Sequence, residues 1–320
     1  MNSPGFSRIW FLLFLVGLPP SELWAAKCLF VSSYHRGYAW SDGIERGLRA
    51  TLAGRCEFRQ FDMDTKRMRS LEAKRQAADQ AKSLIEQWQP DVVITADDNA
   101  ARYLIQPYYR DAALPFVFCG INWSGDEYGF PYSNVTGMVE VAPINAMVMK
   151  AKQLMPGARQ VFYLGADTAT EQKNRARLRK LTKAQGLSMA SRLVSTRDAW
   201  TEAYRQAQAD DILIIGSRAG IDDWNDEAVV KAIEPLTQKL SVTSHGWMMP
   251  VSMLGMTKVP EEQGIWAGKA ALKILAGVKP ERIPMANNRK WDFWVNERLL
   301  RTAGLQLPAR IIQQAKKFQD

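Results

Sequence analysis

Short apolar, β-rich runs alternate with longer helical patterns along most of this 320-residue chain. The runs begin with CLFVSS (28–33) and continue with DVVITA (91–96) and PFVFCG (115–120). Parallel strands need crossover connections, so this alternation predicts a mostly parallel sheet with helices on both faces. The same rhythm starts again with QVFYLGA (160–166) and DILIIGS (211–217). We therefore predict an α/β protein with two similar doubly wound parallel-sheet lobes.

The last part of the chain has no third sheet to join. A predicted helix near 260–276, the segment KWDFWVN and the terminal helices must return to the lobes already built. The chain is therefore expected to cross between the lobes more than once, at a hinge. We predict an N-terminal lobe of residues 27–139 plus 256–283, and a C-terminal lobe of residues 140–255 plus 284–320.

The first 26 residues have the pattern of a secretory signal peptide. Arg8 supplies a positive charge, residues 9–18 form an apolar run too short to span a bilayer, and Ala25 and Ala26 offer a cleavage site. No later run of eighteen apolar residues follows, so no stable membrane insertion is expected. The sequence predicts an exported, periplasmic protein.

Charge and motifs exclude several classes of function. The net charge is +9, but the basic residues are spread over helical faces such as 173–183, so we expect no nucleic-acid partner. The sequence has no Gly-x-Ser-x-Gly elbow, no Gly-x-x-x-x-Gly-Lys loop and no Gly-x-Gly-x-x-Gly turn. Asp97 and Asp98 are adjacent and point in different directions, which argues against a carboxylate dyad. We expect a monomer with no catalytic residues, no cofactor and no metal.

Polar and aromatic residues follow the predicted strands, where parallel sheets bind ligands beyond the carboxyl ends. Trp40 and Trp123 could instead pack between the lobes. The candidate ligand-binding residues are Tyr34, His35, Arg36, Tyr38, Trp40, Asp97, Asp98, Asn122, Trp123, Asp167, Thr168, Ser217, Arg218, His245 and Trp247.

Other candidates also have structural alternatives. Asp98 could be only the N-cap of the following helix, since aspartate is among the best residues at that position. Arg36 could pair with Asp62 or Asp64 and contact no ligand. The two histidines fit a cleft better than a metal site, which would need more ligands at a recognisable spacing.

The three cysteines are too few for a disulfide scaffold. In a doubly wound sheet of flavodoxin-like order the first two strands are neighbours, and Cys28 and Cys56 stand at or just before their amino ends. Neighbouring parallel strands are close enough for a disulfide, and an exported protein meets an oxidising environment. We predict a Cys28–Cys56 bridge and a free thiol at Cys119, the alternative being two unpaired cysteines.

The chain resembles the type I periplasmic solute-binding proteins of ABC transporters, in the group related to tryptophan and tyrosine binders. The matching stretches, in order, are GIERGLRATL, QPDVVITADDNAARYL, LPFVFCGINW, NVTGM, DILIIGS, GKAALKILAGVKPERIPM and VNERLLRTAGLQLPARIIQQA. The segments SYHRGYAW, DDNAARYL and TGMVE are also similar to the extracytoplasmic sensing domains of some histidine kinases and diguanylate cyclases.

The resemblance implies two lobes that close on a small ligand, with three crossovers at the hinge. It implies delivery of the ligand to an ABC permease or, as the alternative, a report to a separate membrane histidine kinase or diguanylate cyclase. Arg36 or Arg218 could pair with a carboxylate, Asp97 or Asp98 with an ammonium group, and the tryptophans could stack on an aromatic body. Such a set suits an amino-acid-like zwitterion, although sugars, nucleosides and small peptides also fit it. The charged HRGYAW loop differs from the aromatic amino-acid binders and leaves the ligand open.

Overall fold

The computed structural model describes residues 26–319, so the predicted signal peptide lies outside the described residues except for Ala26. The strands are β1 (Lys27–Ser32), β2 (Glu57–Asp62), β3 (Val92–Ala96), β4 (Phe116–Asn122), β5 (Val135–Glu140), β6 (Gln160–Ala166), β7 (Ser188–Val194), β8 (Ile212–Ile215), β9 (Leu240–Thr243), β10 (Leu254–Lys258), β11 (Ala286–Asn287), β12 (Trp291–Val295) and β13 (Lys316–Lys317). They form a sheet of order β11-β5-β4-β3-β1-β2 and a second of order β13-β12-β10-β9-β8-β6-β7.

The helices connect successive strands. They are α1 (Ala39–Leu52), α2 (Leu71–Trp88), α3 (Asp97–Ala100), α4 (Gln106–Tyr108), α5 (Ile144–Leu154), α6 (Ala169–Ala184), α7 (Arg197–Ala207), α8 (Asp226–Ile233), α9 (Pro260–Leu275), α10 (Glu297–Thr302) and α11 (Ala309–Gln314). A π-helical turn, Ala101–Ile105, joins α3 to α4. No helix in residues 26–319 is both long and apolar enough to cross a membrane.

Burial explains which strands lie at the centre of the first sheet. Every residue of β3 and β4 is buried, as expected for parallel strands covered on both faces. β2 lies at the edge and alternates between exposed and partly buried residues over most of its length. Helices cover both faces, with separate apolar clusters on each side of each sheet. The predicted α/β fold with two doubly wound lobes is confirmed.

The chain crosses between the lobes three times, after β5, after β10 and after β11. β10 pairs with β9 and β12, so residues 256–258 belong to the second lobe rather than the first, where we predicted them. β11 pairs with β5, so residues 286–287 belong to the first lobe rather than the second. Glu140 pairs with Asn122 in the first sheet, so it too belongs to the first lobe rather than the second. The predicted boundaries at 139/140, 255/256 and 283/284 therefore differ from the structure, because the hydrogen-bonded ladders continue into the hinge.

The orientation of the last long strand follows from the hinge. β12 begins where the chain returns from the first lobe, with Trp291 opposite Lys258 at the end of β10. β12 therefore runs antiparallel to β10, whereas the other paired strands of the described chain are parallel.

Helix α9 docks on α1 after the second crossing, and glycines bring the two backbones together. A Cβ atom on Gly264 would lie 2.1 Å from the carbonyl oxygen of Ile44. A Cβ atom on Gly47 would lie 2.5 Å from the carbonyl oxygen of Glu261. The return of the chain to the first lobe thus depends on a contact that larger residues would block.

The first two strands are parallel neighbours in the first sheet. Cys28 and Cys56 are joined by a disulfide, with their Cα atoms 6.0 Å apart. Cys119 is a buried free thiol in β4.

Candidate functional site

The carboxyl ends of the strands of both sheets face a cavity between the lobes, which we call the inner chamber. The space free of protein atoms in it, including the part open to solvent, is about 370 Å³. Nine predicted residues line it, and they come from both lobes: Tyr34, Tyr38, Trp40, Asp97, Asn122, Thr168, Ser217, His245 and Trp247. Six lining residues were not predicted: Lys66, Glu140, Thr170, Glu171, Ala219 and Lys258.

Two further cavities adjoin the inner chamber. A wider one, the outer pocket, has about 890 Å³ of space free of protein atoms, including the part open to solvent. It shares Tyr34 and Lys66 with the chamber and is also lined by the predicted residues Asp98 and Asp167. A side recess, with about 830 Å³ of space free of protein atoms including the part open to solvent, is also lined by Lys66. The predicted residues His35 and Arg218 line that recess rather than the inner chamber.

Two predicted residues, Arg36 and Trp123, line none of these three cavities. The Arg36 side chain is 66% exposed and pairs with Asp62 at 3.6 Å, so the ion-pair alternative describes it. Trp123 packs against the core of the second lobe, and its Nε1 donates to Asn174 Oδ1 at 2.9 Å. The interlobe packing alternative therefore describes Trp123.

Aromatic side chains from both lobes form one wall of the chamber. The rings of Tyr34 and Tyr38 meet edge to face with centroids 5.2 Å apart. Tyr38 also contacts Trp247 of the second lobe, at 5.8 Å between centroids. His245 lies beside Trp247 at 4.8 Å. This wall offers a flat apolar body a stacking surface that spans the cleft.

Asp97 is a buried carboxylate with one free oxygen. Its Oδ1 accepts a hydrogen bond of 3.0 Å from Trp40 Nε1, whereas its Oδ2 has no hydrogen-bond partner among the described residues. Burial raises the pKa of Asp97 well above its usual value, and the charges of Glu140 and Asp98 raise it further. Its φ of 70° is left-handed, a region in which aspartate and asparagine are the best tolerated residues after glycine. The free Oδ2 is a natural acceptor for a donor on a ligand.

Lys66 supplies an unpaired ammonium group to the same chamber. No hydrogen bond or ion pair joins the Lys66 Nζ to another described residue, and this atom lies 4.4 Å from the ring centroid of Tyr34 and 5.4 Å from that of Tyr38. Burial lowers the pKa of Lys66, while the negative charges of Asp97 and Glu171 act in the opposite direction. The chamber therefore holds one cation and one carboxylate oxygen that the protein itself leaves unpaired.

His245 and Glu171 form the second-lobe side of the chamber. Glu171 accepts hydrogen bonds from the Tyr163 hydroxyl and from Asn174 Nδ2. Both ring nitrogens of His245 lack a hydrogen-bond partner among the described residues, and Nε2 lies 3.8 Å from Glu171 Oε1. Burial holds the pKa of His245 well below its usual value, and the charges of Lys258 and Lys66 lower it further. A neutral imidazole can both donate to a ligand and accept from it.

A buried ion pair at the hinge, between Glu140 and Lys258, lines the chamber. Glu140 ends β5 and Lys258 ends β10, at two of the three crossings, and their side chains form a buried ion pair. Burial raises the pKa of Glu140, and Lys258 lowers it in turn. Lys258 Nζ also lies 5.0 Å from the ring centroid of Trp40. The hinge is thus connected through Trp40 to the carboxylate of Asp97.

Asp98, next to Asp97, has a different role. The N-cap of α3 is Ala96, so the helix-cap alternative for Asp98 is wrong. Its Oδ2 accepts from Asn122 Nδ2, and its Oδ1 accepts from the Tyr128 hydroxyl and faces Lys173 Nζ of the second lobe at 3.4 Å. Asp98 therefore ties the two lobes together with all of its oxygens engaged.

Further ion pairs cross the cleft mouth. Arg69 of the first lobe pairs with Asp222 of the second, and Lys173 of the second lobe pairs with Glu127 of the first. The two lobes are in contact across the chamber, so the structure corresponds to a closed arrangement. Within residues 26–319, no group of three or more histidine, cysteine and acidic side chains is placed to hold a metal ion.

The missed residues differ in how they could have been found. Glu140 is the last residue of β5, so the strand-end argument applies to it as well. Lys258 ends a strand that we did not predict. Lys66 lies in a loop after the edge strand, among several other charged residues, and no sequence pattern distinguishes it. Glu171 is an acidic residue in the first turn of α6, a position common to ordinary helices.

Comparisons with known proteins agree with this architecture. The family model described as ABC transporter substrate binding protein matches residues 30–319. A search of curated proteins found no match. An ABC domain in complex with L-Trp from Streptococcus pneumonia is 16% identical with a TM-score of 0.69, covering 91% of this chain and 99% of that one.

Two other solved structures have the same fold. A conserved domain protein from Vibrio cholerae is 15% identical with a TM-score of 0.71, covering 92% of this chain and 99% of that one. A ligand-free, open substrate binding protein with adhesive properties from Clostridium difficile is 13% identical with a TM-score of 0.69, and coverage is again 92% and 99%. At these identities the similarity supports the fold, which is that of the type I periplasmic binding proteins.

Proposed function

Because the chain belongs to the ABC transporter substrate binding protein family, we propose that it is an exported solute-binding protein that closes its two lobes on a small amino-acid-like ligand and delivers it to an ABC permease. The family match extends over residues 30–319, nearly all of the chain beyond the predicted signal peptide.

The observation that carries the proposal is the pair of unsatisfied, opposite charges in the inner chamber. Lys66 has no acidic partner, and Asp97 Oδ2 has no donor. A zwitterion offers a carboxylate to the first and an ammonium group to the second. Both interactions are stronger in this buried site than in water, because the local dielectric constant is lower. The unpaired groups also cost the ligand-free protein free energy, which a ligand recovers when it pairs with them.

The aromatic wall supports a ligand with a flat or apolar body. Tyr34, Tyr38 and Trp247 present ring surfaces to the chamber, and Ser217, which accepts a hydrogen bond from Trp247 Nε1 at 3.3 Å, adds a hydroxyl. The structural neighbour from Streptococcus pneumonia binds L-Trp. Aromatic amino acids are therefore the first ligands to test.

Closure follows from the position of the site. The ligand would contact Asp97 and Lys66 of the first lobe and His245 and Trp247 of the second at the same time. A ligand that touches both lobes binds the closed state better than the open one and shifts the population towards it. The three chain crossings form the hinge about which the lobes close. In this proposal the permease recognises the closed, ligand-bound form.

The experiment is a thermal-shift screen of the purified mature protein against amino acids, sugars, nucleosides and carboxylates. A ligand that binds only the folded protein raises the melting temperature, and the rise increases with ligand concentration. We expect the largest shifts from amino acids with an aromatic or apolar side chain, and no turnover of the best one. A screen in which sugars or nucleosides alone stabilise the protein would contradict the proposed ligand class, and turnover of the ligand would contradict a binding role.

Export is part of the proposal and has its own test. The predicted signal peptide supports it, as does the Cys28–Cys56 disulfide, because such bonds persist in oxidising compartments. Amino-terminal sequencing of the protein from a periplasmic fraction should give a chain that starts at Ala26 or Lys27. A protein that keeps its first 25 residues in the cytoplasmic fraction would contradict export.

A further inference from the structure

The outer pocket continues the inner chamber towards the cleft mouth, and its lining is rich in cations. Arg69 lies in the loop before α2, Lys74 in the first turns of α2, and Arg102 in the π-helical turn, all in the first lobe. Lys66 and four other residues (Tyr34, Thr168, Thr170 and Ala219) line both cavities, so the pocket lies directly beside the chamber.

Lys74 is the unsatisfied member of this group. Arg69 pairs with Asp222 and Arg102 with Glu127, but no described residue forms a hydrogen bond or ion pair with the ammonium group of Lys74. Partial burial lowers the pKa of Lys74, and the positive charges of Arg102 and Arg69 lower it further. Five cationic side chains line the pocket (Lys66, Arg69, Lys74, Arg102 and Lys173), against the two lining carboxylates of Asp98 and Asp167.

The second lobe adds favourable groups for an anion on the opposite side. Helix α6 has 16 residues, and its amino terminus, with Thr168, Ala169 and Thr170, lines the pocket. Helix amino termini attract negative charge, and the threonine hydroxyls can donate. This arrangement is independent of the cations in the first lobe.

The carboxylates in the pocket do not supply the missing charge. Asp98 is engaged by Asn122, Tyr128 and Lys173, and Asp167 accepts from Gln172 Nε2 at 2.9 Å. Neither of them forms an ion pair with Lys74.

We infer that the outer pocket is a second subsite, which binds an anionic group, a carboxylate or a phosphate, at the far end of a ligand whose polar head lies in the inner chamber. The inference rests on the proposed function for the position of that head. The ligand is then an elongated amino-acid derivative with an additional negative charge, and a free aromatic amino acid would fill only part of the site.

The test uses small probes of the subsite on the purified mature protein. Calorimetry at constant ionic strength compares the binding of succinate with that of its uncharged diamide analogue, succinamide. Binding of inorganic phosphate is measured in the same way, to distinguish a carboxylate site from a phosphate site. The variant is Lys74→Gln, and the matched control is Lys82→Gln, which removes a lysine of the same helix that lines none of the three cavities.

We expect one of the anions to bind roughly tenfold or more tightly than succinamide, the low end of the effect of a charge-assisted hydrogen bond. Lys74→Gln should remove most of that preference, and Lys82→Gln should keep it. Equal binding of charged and neutral probes to the wild-type protein would overturn the inference, and this comparison does not depend on any variant being folded. Equal loss in both variants would overturn it as well.

The outcomes separate this inference from the proposed function. Anion binding that depends on Lys74, in a protein that binds no amino acid, would support the subsite and contradict the proposed ligand class. Amino-acid binding without any anion preference would support the proposed function and overturn the subsite.

Discussion

Replacing Asp97 by asparagine should weaken ligand binding and stabilise the ligand-free protein. Asparagine has the same shape, can still accept from Trp40 Nε1 and tolerates the left-handed φ of 70°. What it lacks is the negative charge on the free oxygen. Most substitutions leave the free energy of unfolding unchanged or reduce it. Lower ligand affinity together with higher stability is therefore the specific result expected for an unsatisfied buried carboxylate.

The size of the binding effect follows from the geometry. Asp97 has one free oxygen, so it can form one charge-assisted hydrogen bond to a ligand ammonium group. Such a bond contributes about 1.5–3 kcal/mol, which corresponds to a loss of roughly 10- to 100-fold in affinity.

The stability effect depends on pH. Because the pKa of Asp97 is raised in the folded protein above its ordinary value of 3.8, the unfolded chain loses this proton first as the pH rises. The free energy of unfolding then falls with rising pH, from about pH 4 up to the raised pKa of the folded state. Asp97→Asn has no proton to lose, so its stability should be higher above that window and less dependent on pH within it.

The assay combines urea unfolding without ligand, between pH 4 and pH 8, with calorimetry of the best ligand from the screen. The control is Asp98→Asn, which changes the neighbouring carboxylate, whose oxygens are engaged by Asn122, Tyr128 and Lys173. We expect that control to lower stability and to affect the ligand less. Unchanged affinity in Asp97→Asn, or a loss of stability equal to that of Asp98→Asn, would refute the reasoning.

Three further predictions concern other parts of the molecule. Mass spectrometry of the non-reduced, alkylated protein should find a peptide linking Cys28 to Cys56, and the bond should contribute on the order of 3 kcal/mol in the chain-entropy model; alkylation of both residues would exclude it. Gly264→Ala should lower the free energy of unfolding by about 1–3 kcal/mol or more because its Cβ would overlap the α1 backbone, whereas Gly157→Ala, which meets nothing within 4 Å, should be nearly neutral. Trp123→Phe should cost about 1 kcal/mol of stability through the lost indole hydrogen bond and leave ligand affinity unchanged; a tenfold weaker affinity at unchanged stability would return this residue to the ligand site.

The sequence predicted the fold well because alternation of apolar strands with amphipathic helices allows few architectures. Most residues of the chamber were also predictable, since the carboxyl ends of parallel strands must meet at one edge of a sheet. Two examples are Trp40, in the helix that follows β1, and His245, just beyond β9; both line the inner chamber.

Side chains in loops and at the hinge were harder to predict. Arg36 and Trp123 sit close to strand ends in sequence, but an ion pair turns one outward and a hydrogen bond seats the other in the second lobe. Lys66 is one of several basic residues in its loop. The closed structure shows that Lys66 and Ala219 are the two residues that line all three cavities. Such roles depend on how the two lobes meet, which local sequence does not encode.

The most direct test of the account is a crystal structure of the mature protein with the best ligand from the screen. We expect the ligand in the inner chamber, with its positive group within hydrogen-bond distance of Asp97 Oδ2 and its negative group next to Lys66 Nζ. Both lobes should contact it, through His245 or Trp247 on the second side. A ligand bound to one lobe alone, or outside the space between the lobes, would contradict the central claim.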